Sequence, residues 1–192
     1  SWIILMSIVA AFGSEVLAGY TIALRIIMFV LLPGLGISNA ASTLVGQNLG
    51  AGLAERAEKS AIIASRTIMV MMGIISVFLI AWPESFISLL SGDKIIINYG
   101  GNSLRIVSIG LIIYGLGMVL VNTINGAGDT KTPFYVNIVA FWLIEIPLAW
   151  FLSSIMKMEQ NGVFLAIVFA ESVMTLSIYY FFKKGQWKLK EV

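Results

Sequence analysis

The sequence predicts an all-α integral membrane protein, a bundle of five complete transmembrane helices plus one truncated helix. Three observations carry this. Hydrophobic residues make up 59% of the 192 residues and charged residues only 11%, against roughly 25% charged in an ordinary soluble domain. Apolar runs of membrane-crossing length recur along the chain. Each run is parted from the next by a short polar or glycine-rich turn.

The elements follow in order. The chain starts at Ser1 with neither the basic leader nor the cleavage site of a signal peptide. Its first apolar stretch, Trp2 to Phe12, would rise only about 17 Å as a helix against a hydrocarbon core of about 30 Å. Residues 1–12 are therefore expected to be the remnant of a truncated span, ended by Phe12-Gly13-Ser14-Glu15. The next span, 18–45, runs into Gly46-Gln47-Asn48-Leu49-Gly50-Ala51-Gly52, and the span 57–82 stops at Pro83-Glu84. After Ser91-Gly92-Asp93 comes a span at 98–121, then a second Gly-Ala-Gly turn, Asn125-Gly126-Ala127-Gly128-Asp129-Thr130-Lys131-Thr132-Pro133. Spans at 134–156 and 162–182 are divided by Glu159-Gln160-Asn161-Gly162. No stretch long enough for a soluble domain interrupts the series.

Composition excludes several functions. The formal charge is only +2 and the basic residues are dispersed, whereas nucleic-acid binding wants them clustered on one face. With no cysteine and no histidine, the usual zinc sites, thiol nucleophiles and imidazole bases are all absent. An embedded enzyme would have only Glu145 and Glu171 to work with, a mid-bilayer pair better suited to handling ions than to hydrolysis. The chain is expected to be no enzyme and to need no organic cofactor.

Lys and Arg set the expected orientation, because cytoplasmic loops carry the excess. Arg56, Lys59, Arg66, Lys131, Lys183, Lys184, Lys188 and Lys190 fall on one side, and only Lys94 and Lys157 on the other. Both Gly-Ala-Gly turns and the C-terminus are thus expected in the cytoplasm. The basic tail around Trp187 reads as an anchor to anionic headgroups.

Polar groups inside a span are costly and point to function. Thr21, Arg25, Leu32, Gly36, Asn39 and Thr43 share one stripe of the first full span, which should face a cavity or a neighbour rather than lipid. Pro33 and Gly34 sit mid-span, where proline removes a backbone bond, and are candidate hinges. In the third full span Asn98, Asn102, Arg105, Ser108 and Asn122 are expected on one side, with Gly110, Tyr114 and Gly117 opposite. Glu145 should lie about 18 Å into its helix and Glu171 about 15 Å into the last one, while Arg25 and Arg105 lie about 10 Å below the outer surface. Depth thus allows Glu145 to pair with an arginine. A structural carboxylate would be locked to such a partner, and a cation-coupling one would face a cavity partly unpaired.

The segment from Gly36 through Ser38-Asn39-Ala40-Ala41-Ser42-Thr43-Leu44-Val45 and the first turn, on to Glu55-Arg56-Ala57, resembles the eighth-helix signature of the MATE (multidrug and toxic compound extrusion) transporters. The second turn, followed by Phe141-Trp142-Leu143-Ile144-Glu145-Ile146-Pro147-Leu148-Ala149, resembles the link between that family's tenth and eleventh helices. The resemblance covers nearly the whole chain. It implies the second six-helix lobe of a twelve-helix transporter, joined to an N-terminal lobe, with Gly46, Gln47, Gly50, Gly52, Gly126, Gly128 and Pro147 as turn or hinge positions. It also places Tyr114 where one branch of the family carries a cation-binding aspartate. That departure puts the branch's cation site in doubt here.

The function implied is efflux of organic, often cationic, compounds by antiport against Na+ or H+, in a bacterial inner membrane. Candidate pathway residues are Arg25, Asn39, Tyr114, Glu145 and Glu171. A flippase for lipid-linked oligosaccharides and a non-transporting scaffold are the alternatives.

Overall fold

The computed structural model describes residues 1–189, all helix and turn, so Lys190 of the charge tally lies outside it. A short helix α1 (Trp2–Ala10) leads into α2 (Ser14–Gly50) and α3 (Ala54–Ala81), followed by the short α4 (Pro83–Ser88). Two segments, α5 (Lys94–Ile109) and α6 (Leu111–Gly126), precede α7 (Lys131–Ile155) and α8 (Glu159–Lys184). Among the described residues four helices are long and apolar enough to cross a membrane by themselves, and the α5–α6 pair makes a fifth span.

Several helix ends have a local cause. Pro83 opens α4 in its first turn, where the missing N–H costs nothing. The Asp93 side chain caps α5 by accepting from the amides of Ile95 and Ile96, filling donors that a helix start leaves orphaned. Lys183 and Lys184 lie in the last turn of α8, which closes on Gly185 at φ 73°, a cation-rich end with a left-handed glycine cap.

The two Gly-Ala-Gly turns are the same device. In the first, the amide of Gly52 donates to the Leu49 carbonyl and that of Leu53 to the Asn48 carbonyl; in the second, Gly128 donates to Asn125 and Asp129 to Ile124. Both are Schellman closures, with Gly52 (φ 73°) and Gly128 (φ 83°) at the left-handed position. The first glycine of each triplet is placed differently. Gly126 is pressed onto Ser42 of α2 and its carbonyl lies against Gly46, whereas Gly50 faces open space.

Two helices depart from the sequence expectation. The span expected at 98–121 is longer and bends by 54° between α5 and α6. Gly110, at the bend, donates its amide to the Val107 carbonyl, a tighter turn than α. Polar side chains then serve the disturbed backbone: the Ser76 hydroxyl on α3 donates to the Ser108 carbonyl (2.6 Å) and Thr175 on α8 donates to Ile113 (3.1 Å). The polar stripe expected from Asn98 to Asn122 is split by this bend. In α7, residues Ile138–Glu145 and Phe151–Ile155 wind as π-helix. Its buried residues include Ala140, Glu145 and Ala149, and the five-residue step from Ala140 to Glu145 fits the wider π turn that keeps both on one face.

Three packed clusters hold the lobe together. One joins Val45, Ala57, Leu120 and Ile178 at the end carrying both turns, and takes in Trp187. A second joins Ile27, Ile68, Met72 and Leu104. The third packs Leu5, Val9 and Tyr20 against Ala149, Val163 and Phe164, so α1 is built into the fold.

Candidate functional site

A cavity opens where α1, α2, the α5–α6 bend, α7 and α8 meet. Its walls are largely apolar, with Leu24, Ile27, Val107 and Ile167 among them, and four side chains supply its polarity: Tyr20, Tyr114, Glu145 and Glu171. Its volume of about 60 Å³ has room for a few waters at about 10–15 Å³ apiece.

Sequence and local geometry bring these four groups together. The π stretch of α7 ends at Glu145, turning it inward with Ala149. Glu171 lies midway along α8, between buried Ala170 and Met174. Tyr20 comes from the buried stripe of α2 that includes Val16, Ala23 and Ile27, and its ring packs on Phe164 of α8 at 5.4 Å. Tyr114 sits in the first turn of α6, one turn beyond Gly110. Each tyrosine lies within reach of one carboxyl's charge, Tyr20 of Glu145 and Tyr114 of Glu171, and the two carboxyls are within reach of each other.

Both carboxyls are buried, Glu145 at 3% and Glu171 at 8% exposure. One oxygen of each, Oε2, has no hydrogen-bond partner. The arginine pairing that depth allowed for Glu145 is not formed. Arg105 instead bridges to Glu84 of α4 at 3.0 Å, with both side chains about half exposed, and its Nε donates to the Ile80 carbonyl. Arg25 is exposed beside Met28, Phe29 and Leu32. The arginines point to other azimuths around the bundle.

The remaining sequence candidates divide by face. Arg25, Leu32, Pro33, Gly36 and Asn39 all lie on an exposed side of α2, and Asn39 contacts its own helix by accepting from Thr43. That stripe faces away from the cavity, and the opposite face of α2 supplies Tyr20. Helix α2 continues through Pro33, and Gly34 is buried where a Cβ would stand 2.8 Å from Met72, so its smallness serves packing. Gln47 is exposed and its carbonyl accepts the Ala51 amide. Pro147, also exposed, follows the π stretch by two residues. Sequence reasoning missed Tyr20, Ser76 and Thr175. Tyr20 was findable from its spacing with Ala23 and Ile27, whereas the hydroxyls carry no signal until the bend is known.

Residues 1–151 match the MatE family profile. The chain belongs to this family. It is similar to "Probable multidrug resistance protein YoeA" of Bacillus subtilis, 23% identical over 192 residues covering 100% of this chain and 41% of the relative. It is also 26% identical over 187 residues to "Probable multidrug resistance protein NorM" of Thermotoga maritima, covering 94% of the chain and 39% of that protein. With "Protein DETOXIFICATION 13" of Arabidopsis thaliana it shares 32% identity over 142 residues, 74% of the chain and 30% of the relative. The crystal structure of the eukaryotic MATE transporter AtDTX14 superposes with a TM-score of 0.86 at 22% identity, over 92% of this chain and 39% of that one. A MATE structure in complex with MaL6 gives 0.89 at 19%, over 98% and 43%. This MatE chain therefore spans about 40% of the length of the relatives first matched, and its fold is that of one lobe of the solved transporters.

Proposed function

We propose that this MatE chain is the second lobe of a secondary exporter that expels organic, often cationic, compounds in exchange for an inward-moving cation, Na+ or H+. The observation that carries the reading is the cavity itself. Two buried carboxyls face it with free oxygens and no arginine, the arrangement expected of a group that binds and releases a cation rather than one locked into the scaffold.

The exposed side of α2 supports the second half of the reading. Arg25 and Asn39 on a membrane helix are poor lipid-facing residues, and they suit a surface covered by a companion six-helix lobe, with substrate passing between the two. Alternating access then comes from one lobe rocking against the other. Positive-inside bias supports a cytoplasmic side for both Gly-Ala-Gly turns and the C-terminus, in a lobe held in the lipid of a bacterial inner membrane on this reading. A flippase for pyrophosphate-linked lipids is disfavoured, since two carboxyls repel such a headgroup and Arg105 is already engaged by Glu84.

Ethidium accumulation tests this in cells lacking their own exporters and producing the complete transporter. Lower accumulation that rises again when the ion gradients are collapsed is expected. Unchanged accumulation overturns the reading. If Glu145→Gln and Glu171→Gln both leave efflux intact, the carboxyls belong to the scaffold and coupling lies elsewhere.

A further inference from the structure

We infer that the Arg105–Glu84 pair is a binding site for a zwitterionic phospholipid headgroup, an ethanolamine phosphate, whose acyl chains lie on the apolar strip beside it. The inference goes beyond the exporter reading and needs only that the lobe sits in lipid.

The pair is built at the end of α3 opposite the Gly-Ala-Gly turns. Gly101 makes room for it: a Cβ there would stand 3.1 Å from Cγ of Glu84, so the glutamate stem lies against α5. The Nε–H of Arg105 goes to the Ile80 carbonyl, in the last turn of α3 where the helix ladder runs out, and an Nη2–H goes to Oε1 of Glu84. Of the five donors that a guanidinium carries, the rest have no partner among the described residues, and neither does Oε2 of Glu84. A cation and an anion thus stand side by side, half exposed, with donors and an acceptor unused.

One turn further into the membrane lie Val77 on α3 and Ile109 on α5, and beyond them Ile74 and Ile112, all exposed. A Cβ on Gly73 would lie 3.5 Å from the Ile112 side chain, so α3 and α6 meet along this strip. These residues belong to α3–α6 and include none of α2, whose exposed stripe is the side given above to the companion lobe. A charge pair facing lipid is costly unless polar groups cover it. Exposed charge above exposed hydrocarbon matches the profile of a phospholipid, headgroup above acyl chain.

The pair also selects the headgroup. A phosphate suits the unused guanidinium donors. A primary ammonium brings N–H groups to Oε2 of Glu84, whereas choline has none to give and a glycerol headgroup brings no cation to offset the carboxylate. Of the three, only ethanolamine serves both members.

Native mass spectrometry counts the lipid held by the complete transporter in detergent doped equally with phosphatidylethanolamine, phosphatidylcholine and phosphatidylglycerol of one acyl composition. Wild type should hold the ethanolamine lipid about tenfold over the other two, the worth of one charge-assisted hydrogen bond. Arg105→Gln should lose that excess, and Glu84→Gln should pass the preference to phosphatidylglycerol. Phosphatidylglycerol held as well as phosphatidylethanolamine by wild type, or an excess unchanged in Arg105→Gln, overturns the inference. So does no excess of any lipid, the result expected if the companion lobe covers this face. Wild type alone gives a second reading, free of any effect of substitution on folding. Its retention of lipid should fall as methyl groups replace the ammonium hydrogens of the ethanolamine, and indifference to methylation overturns the assignment.

Discussion

A methyl group at Gly126 would stand 2.5 Å from both the carbonyl and the hydroxyl oxygen of Ser42, so the end of α6 rests directly on the backbone of α2. The two Gly-Ala-Gly turns look alike in sequence, yet their glycines do different jobs, and substitution should sort them. Gly126→Ala forces two helices apart and should cost about 1–3 kcal/mol, the range for overpacking. Gly128→Ala asks alanine to adopt φ 83° and should cost about 1–2 kcal/mol. Gly50→Ala meets nothing within 4 Å and should be neutral or stabilise by up to about 1 kcal/mol through helix propensity. Thermal unfolding in detergent measures all three, and an equal effect at each position would refute the division.

What the sequence revealed and what it withheld follow from the same physics. Hydropathy reports the segments that must avoid water: the helix Ser14–Gly50 encloses the run read at 18–45, and Ala54–Ala81 covers all but the last residue of the run read at 57–82, each starting earlier in polar residues that hydropathy cannot count as helix. The left-handed glycines were legible because few other residues fit there. The bend at Gly110 was not, since a single glycine among apolar residues reads equally as a packing contact. The site was half legible. Glu145 and Glu171 stood out because a carboxyl is costly in a span and Tyr114 because of the family resemblance, but depth along a helix says nothing about azimuth, so the arginine partner that depth allowed Glu145 is not formed and Arg105 pairs with Glu84.

The hydroxyls at the bend should matter more for stability than their size suggests. Thr175→Val keeps the shape and removes the donor to Ile113, whose carbonyl stays in the α6 ladder, so the loss is that of one interhelical hydrogen bond, about 0.5–1.5 kcal/mol. Thr175→Ser restores the donor and should recover most of it. Ser76→Ala should act in the same way on Ser108. If Thr175→Val and Thr175→Ser unfold at the same denaturant concentration, the bond to Ile113 is not what holds the bend.

Arg105 and Glu84 offer a contrasting case. Their bridge is half exposed, and exposed pairs contribute only about 0–1 kcal/mol. Arg105→Gln and Glu84→Gln should each shift stability little, and a double-mutant cycle should return a coupling of that order. A coupling several times larger would mean that the pair is far less solvated than its exposure indicates.

The C-terminal tail carries the strongest prediction about stability. Read as sequence, Trp187 is an interfacial anchor among lysines; in the structure it is 2% exposed and stacks on Phe182 at 5.2 Å with the rings 13° from parallel. Its indole N–H donates to the Phe182 carbonyl at 2.9 Å, a second bond on an oxygen at the end of α8 that also accepts the Gly185 amide. Beside it Lys188 pairs with Glu58 on the first turns of α3 at 2.5 Å, so the tail ties the last helix to the third. Burial outweighs charge here: Trp187→Ala should cost about 3–5 kcal/mol through the cavity it leaves. Trp187→Phe keeps much of the stack and should lose only about 1 kcal/mol with the missing donor. Lys188→Ala should cost less than Trp187→Ala, because the pair is partly solvated and its partner Glu58 can turn to water. Hydrogen exchange at the start of α3 reads the tie directly. Faster exchange there in Trp187→Ala is expected, and exchange unchanged from wild type would show that the tail rests on α3 without holding it.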